Sequence, residues 1–298
     1  MQENFRRWLS VPDPWINHNV ARKAYHRSTA TWFMQGNIFK EWKSTGSLLW
    51  IHGLRTRLFF VSFATADIFR VLAGSGKSIL WCVLQRPYLA RCTHVIDSST
   101  VIEDVQDMCQ TGLATLVIFY FDFRDAAKQD ARSLMSSLLV QLSNQSNSFS
   151  ATLSEFFSTH DQGSRQPSED ALTECLKDML QIPGQGAIYI IVDALDECPN
   201  SYGYPTPREQ VLVIIQDLIN LHLPHVHFCL TSRPEVDIRE VLKPLTMYNV
   251  SLHEERGQNQ DIIDYIKTVV SSDPKMRRWQ EEDRQLVIRT LTEKAGGM

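Results

Sequence analysis

Three short stretches of this chain carry residue types whose chemistry depends on their spacing. The first is Ala-Gly-Ser-Gly-Lys-Ser at Ala73–Ser78. At the start of a helix, the backbone N–H groups of Gly74, Ser75, Gly76, Lys77 and Ser78 form an anion nest for the β- and γ-phosphates of a nucleotide. Glycine is needed because a Cβ would hold the backbone away from the phosphate. Lys77 then reaches phosphate oxygens, and the Ser78 hydroxyl is a ligand for Mg2+. The second stretch, Ala187–Glu197, is an apolar run ending in Asp193, Asp196 and Glu197. Asp193 is positioned to hold magnesium through water, and Asp196 or Glu197 to polarise an attacking water. Capping of a helix N-terminus would explain one of these acids, but not all of them. The third stretch, Thr231-Ser-Arg-Pro-Glu235, puts Arg233 where a guanidinium can sense or stabilise a γ-phosphate. The plainer alternative is a surface arginine in a turn before proline.

Such groups converge only if strands deliver them to one edge. Ser47–His52, Leu116–Phe121, Ala187–Val192 and Val226–Thr231 are short apolar runs of the kind buried in parallel sheets, and Met247–Leu252 is a fifth candidate. Between them, Leu134, Met135, Leu138, Leu139 and Leu142 share one helical face, as do Leu172, Cys175, Leu176 and Leu180. Strands alternating with helices predict an α/β fold, a parallel sheet flanked by helices. Ligands bind such sheets beyond the carboxyl ends of the strands. The glycine loop, the acids after Val192 and Arg233 all fall there.

Three segments follow from this pattern. Residues 1–46 read as an adaptor packed on the core. Asp13-Pro14 and Asn17-His18-Asn19 are expected turns, and a helix is expected over Ala21–His26. Residues 47–255 form the core. Residues 256–298 begin a helical region that ends Lys-Ala-Gly-Gly-Met, as if cut within a domain.

Composition narrows the function classes. With 43% hydrophobic and 21% charged residues over 298 positions, the chain can bury a sizeable core. A net charge of -4 gives no reason to expect nucleic acid or an anionic membrane as a partner. The six cysteines form no C-x-x-C pair, which suits reduced thiols in a cytoplasmic protein. The N-terminus lacks the apolar core of a signal peptide, and the apolar window Leu58–Leu72 is broken by Asp67 and Arg70. His225, His227 and Cys229 would lie on one strand face. The equally apolar opposite face, Val226, Phe228 and Leu230, makes a buried strand the simpler account.

The combination of G-S-G-K-S, D-A-L-D-E-C at Asp193–Cys198 and T-S-R-P-E at Thr231–Glu235 resembles the NACHT-type NTPases of the STAND class. More closely, the chain is similar to the large fungal set with a nephrocystin-like N-terminal module. That likeness extends to W-L-S-x-P-D-P near the N-terminus, Trp32–His52 and F-Y-F-D-F-R-D at Phe119–Asp125. The resemblance implies an ASCE-type sheet with the arginine-bearing strand between the phosphate-loop strand and the acidic strand. It implies slow hydrolysis of ATP or GTP, with Mg2+, coupled to a switch between closed and oligomeric states. It further implies self-association or other signalling proteins as partners, through regions beyond this chain such as helical, winged-helix and repeat domains.

Two departures from the family pattern stand out. The pattern G-x-x-x-x-G-K-[ST] wants a glycine five residues before Gly76, where this chain has Val71. The glycine that follows the first strand is instead Gly53, separated from Gly74 by Leu54–Ala73, about 18 residues more than the pattern allows. A second stretch, Trp81–Ser98, precedes the helix expected from Ser99. Removing both gives approximately I-H-G-L-P-G-S-G-K-S-I-L-C-S-T-V-I-E-D-V, an intact motif that runs into a helix. We read both stretches as translated introns, with Gly53 as the displaced first glycine. Nucleotide binding should be weaker with them present. The competing reading is a nucleotide-independent interaction scaffold on a degenerate fold of this type.

Overall fold

The computed structural model describes residues 1–24, 30–53, 98–252, 263–264, 266–268, 270–271 and 276–295. Gly74–Ser78, residues 54–73 and residues 81–97 lie outside the described residues, as does the end of the helix expected over Ala21–His26.

The strands carry most of the apolar sequence. They are β1 (Leu48–His52), β2 (Ala114–Tyr120), β3 (Ala187–Asp193), β4 (Val226–Ser232) and β5 (Tyr248–Ser251). The helices are α1 (Gln2–Trp8), α2 (Trp15–Ala24), α3 (Thr31–Met34), α4 (Asn37–Thr45), α5 (Ser98–Gln110), α6 (Ala131–Ser143), α7 (Asn147–Thr159), α8 (Glu169–Leu180), α9 (Pro207–Ile219), α10 (Val236–Leu245) and α11 (Glu281–Ala295). All five expected strands are present. They form one sheet in the order β2-β3-β4-β1-β5, with every pairing parallel. The arginine-bearing strand β4 lies between β1 and the acidic strand β3, as the resemblance implied.

Period-two alternation sends the two side-chain sets of each strand to opposite faces, and both faces are covered. On one face Trp50, Phe119, Ile190 and Leu230 pack with α1, α6, α8 and α9. On the other, Leu49, Ile118, Tyr189 and Cys229 pack with Phe39 and Trp42 of α4 and Val101, Ile102 and Val105 of α5. Trp42 fixes α4 beneath the sheet by donating its indole N–H to the carbonyls of Ser47 and Phe228, both at 3.0 Å. The chain leaves α4 through Gly46 at φ +58°, where a Cβ would sit 2.0 Å from the Pro224 carbonyl oxygen, so only glycine fits.

β2 closes one edge of the sheet, leaving main-chain groups that β3 cannot pair. Two glutamines on α6 take them. Gln141 accepts from the Ile118 N–H at 3.0 Å and donates to its carbonyl at 2.8 Å. Gln145 does the same for Leu116, at 3.1 and 2.7 Å. This side-chain ladder covers an edge that would otherwise template pairing with another chain.

The expected turn at Asn17-His18-Asn19 is corrected: these residues lie inside α2, which starts earlier than the expected Ala21. Asp13-Pro14 does turn the chain, and the Asp13 carboxylate accepts from the Trp15 N–H at 2.9 Å. The asparagine signal misled because the side chain of Asn17 is used in a tertiary contact and not on its own backbone. The histidine–cysteine strand is a buried one. His225 and His227 bond the carbonyls of Leu180 and Trp42, and His227 stacks on Tyr189 at 4.5 Å. No described helix is long and apolar enough to cross a membrane.

Candidate functional site

Strand register decides what meets at the carboxyl edge. Ile51 and His52 of β1 pair with Thr231 and Ser232 of β4, Val192 of β3 pairs with Leu230, and Asp193 pairs with Tyr120 of β2. The chain therefore leaves β1, β4, β3 and β2 at one level, and Gly53, Arg233, Asp193 and Asp122 all emerge on the same edge. Trp50 ties β1 to β4 by donating its indole N–H to the Ser232 hydroxyl at 2.9 Å. The Gly53 N–H donates to the Ser232 carbonyl at 3.4 Å. The side chain of Leu252 crowds Gly53, and a Cβ there would lie 3.2 Å from it.

The acids occupy a tight turn. Asp193 ends β3, Ala194 takes φ +56°, and Leu195–Glu197 form a single 3-10 turn. Alanine adopts that left-handed conformation only when surrounding contacts enforce it. Thr231 on the neighbouring strand supplies one. Its hydroxyl donates to the Asp193 carboxylate and accepts from the Ala194 N–H at 3.0 Å. One hydroxyl thus aims the acid and pins the turn.

Arg233 is drawn to Asp196. Its backbone N–H donates to Asp196 Oδ1 at 3.0 Å, and its Nε lies 3.0 Å from Asp196 Oδ2. The Asp196 side chain is only 9% exposed, against 33% for Arg233. Beneath them Arg208, on α9, is buried. It donates to the carbonyls of Cys198 at 2.9 Å and Asp196 at 2.6 Å, and pairs with Glu235 and with Asp237. Its helix is set by Pro207 at the first turn and a reciprocal cap between Thr206 and Glu209.

Glu197 is held from the other side. It accepts from the Phe123 N–H at 3.3 Å, in the loop that follows β2. That loop is organised by Asp122, which takes the Nε and Nη2 of Arg124 at 2.9 and 2.8 Å. Those hydrogen bonds from Arg124 hold the Asp122 carboxyl down at about 2 against the opposing effect of burial. Phe123, Gln129, Tyr202, Asp196, Glu197 and Arg233 line an open cleft of about 460 Å³ against this corner. Cys198 also lines it, and its thiol, buried against the Gln129 carbonyl, is pushed up to about 12 by burial.

The structure thus brings Gly53, Asp193, Asp196, Glu197 and Arg233 to one edge, while Gly74, Ser75, Gly76, Lys77 and Ser78 lie outside the described residues. Sequence reasoning gave no role to Thr231, Arg208 or Asn17. Arg208 left a trace, because it begins the stripe Arg208, Val211, Leu212 and Ile215 that α9 turns inward.

Comparison with known proteins bears on the family. No curated protein matches the sequence significantly. Among solved structures, the chain matches one from Drosophila ORC bound to AT-rich DNA and Cdc6, at 13% identity and a TM-score of 0.30. That match covers 99% of this chain and 42% of the other, so the chain spans less than half the length of the solved protein. The sequence profile of the nephrocystin 3 N-terminal family matches residues 70–233, more than half of the chain and every candidate site residue except Gly53. The chain belongs to the nephrocystin 3 N-terminal family.

Proposed function

We propose that the protein is a P-loop NTPase of the NACHT type, binding and slowly hydrolysing ATP or GTP as a STAND-type signalling switch. One observation carries this reading: the Thr231 hydroxyl on β4 fixes the Asp193 carboxylate at the edge where Gly53 follows β1. A carboxylate aimed by a neighbouring strand, beside the strand that leads into a glycine-lysine-serine loop, is what a magnesium-bound triphosphate requires. The donor set fits Mg2+, which prefers hard oxygen ligands such as the Asp193 carboxylate and the Ser78 hydroxyl. When bound, the ion would neutralise charge on the phosphates.

The acids then divide the work. Asp196 is engaged by Arg233, so we assign it to holding that arginine toward the γ-phosphate. Both acids border the open cleft, and with Asp196 committed to Arg233 we assign Glu197 to accept a proton from the attacking water. Lys77 and the N–H groups of Gly74–Ser78 would hold the β- and γ-phosphates. Such a switch would act through self-association or the binding of other signalling proteins.

The stretches Leu54–Ala73 and Trp81–Ser98, the second reaching the first residue of α5, separate the loop from β1 and from the body of α5. We propose that they weaken nucleotide binding, because a phosphate loop is rigid only when a strand anchors it a few residues upstream. Calorimetric titration with Mg-ATP tests both claims. The chain lacking both stretches should bind at least about tenfold more tightly than the chain as written, and Lys77→Ala should abolish that binding. Equal affinities would remove the claim about the stretches. Binding that survives Lys77→Ala, or no binding by either form, would favour the nucleotide-independent scaffold. The transcript sequence across residues 50–105 decides whether the two stretches belong to the working protein.

A further inference from the structure

Two adjacent residues of α2 reach into the nucleotide edge of the sheet. Asn17 donates its amide to Asp122 Oδ2 at 3.3 Å and accepts from the Lys128 ammonium at 2.7 Å. Asp122 and Lys128 are both buried, and they lie at the two ends of the loop that joins β2 to α6. The loop is closed further by the Asp122 N–H bonding the Lys128 carbonyl at 3.4 Å, and by Gln129 donating to the Asp122 carbonyl at 3.1 Å. Its tip presents the Phe123 N–H to Glu197. His18, next in sequence, lies 3.3 Å from the Tyr120 hydroxyl, to which Ser98 at the start of α5 also bonds. A buried ammonium and a buried carboxylate so close to one amide would each lose a hydrogen bond if α2 withdrew.

We infer that Asn17 is a positioning residue for Glu197: through Asp122 and Lys128 it holds the β2–α6 loop, so that docking of the N-terminal segment sets the competence of the proposed hydrolytic site. In this reading α2 is a device by which events at the N-terminus are felt at the acid. Its functional half rests on the NTPase reading; its structural half does not.

The experiment uses the full chain, with backbone hydrogen exchange followed by mass spectrometry as the first readout and Mg-ATP turnover as the second. Asn17→Ala should speed exchange in peptides covering residues 121–129 by about fivefold, the effect of losing about one hydrogen bond, with exchange in β3 and β4 unchanged. Asn17→Asp keeps an acceptor for Lys128 but sets a carboxylate against Asp122, and should loosen the same peptides. In turnover, both variants should lower kcat at least about threefold with KM unchanged. Unaltered exchange over residues 121–129 would overturn the inference, as would faster exchange spread equally over β3 and β4, which marks a merely structural role. If neither the chain as written nor the chain lacking Leu54–Ala73 and Trp81–Ser98 shows turnover that Lys77→Ala removes, the NTPase reading has failed, and the exchange pattern alone still decides whether Asn17 holds the loop. A normal kcat in variants whose loop exchanges faster would overturn the coupling.

Discussion

Asp196 and Glu197 are neighbours in one turn, yet they are held from opposite flanks of β3, one from the side of β4 and the other from the side of β2. Asp196 is gripped by β4 and α9, through the backbone and side chain of Arg233 and the guanidinium of Arg208. Those partners belong to the central strands and their helices, which are buried whatever the rest of the chain does. Glu197 instead meets the loop after the edge strand β2, and that loop is braced by a helix from the N-terminal segment. The contrast separates a part of the site built into the core from a part that depends on how a separate segment docks. Substitutions on the two sides should therefore differ both in what they cost and in how far the damage spreads.

The largest effect is expected at Arg208, on the core side. Arg208→Ala leaves Glu235 and Asp237 without their cation and two carbonyls without a donor. Removing one partner of a buried pair costs about 3–5 kcal/mol. Glu235 is 39% and Asp237 27% exposed, so water recovers part of this and about 2–4 kcal/mol is expected from urea denaturation. A loss below about 1 kcal/mol would mean that the β3–β4 corner stands without its buried cation. Thr231→Val comes next. It keeps the shape of the strand but strands the Ala194 N–H and removes the hydroxyl that aims the Asp193 carboxylate, at about 1–3 kcal/mol. Under the proposed function it should also weaken magnesium-dependent nucleotide binding, read by titration with and without Mg2+.

On the docking side the effect is smaller and depends on pH. Asp122 titrates at about 2 in the folded chain, against an ordinary value near 3.8. A depressed carboxyl stabilises the fold above the unfolded value, and that stabilisation is lost as pH falls from about 4 to about 2. Because its partner Arg124 is 65% exposed, only about 1–2 kcal/mol is expected. Asp122→Asn should therefore lower stability by that amount at pH 6, and the difference from the parent should shrink steadily by pH 3. A difference independent of pH over that range would show that Asp122 matters through packing and not through its charge.

The same contrast explains what was readable beforehand. The five strands were legible because each is a run of apolar residues buried on both faces, and burial leaves few alternatives for such a run. The sheet order is a different kind of information: alternation of strands and helices implies a parallel sheet but does not rank its strands, and the order came from resemblance. The placement of Gly53, Asp193, Asp196, Glu197 and Arg233 was legible because each lies within a few residues of the end of an apolar run. Asn17 was not. Its neighbours His18 and Asn19 give it the look of a turn, and its partners are more than 100 residues away in sequence. Thr231 was hidden for a related reason, since a threonine in a strand is ordinary until the register sets it beside Asp193. Arg208 was half-visible, as a charge at the head of an inward-facing stripe.

The smallest effect on stability is expected at the residue given the largest role in chemistry. Glu197 accepts from the Phe123 N–H at 3.3 Å, and it borders an open cleft where water replaces lost partners. Glutamine has the same length and keeps an oxygen acceptor, so Glu197→Gln should change stability by less than about 0.5 kcal/mol. Hydrolysis should fall by about two orders of magnitude or more if Glu197 takes the proton of the attacking water, while Mg-ATP affinity is kept. Asp196→Asn is the matched comparison. It removes the charge that holds Arg233, and so should disturb both stability and nucleotide affinity. If the two variants behave alike in stability and in turnover, then the turn is one unit, and its two acids are not held separately.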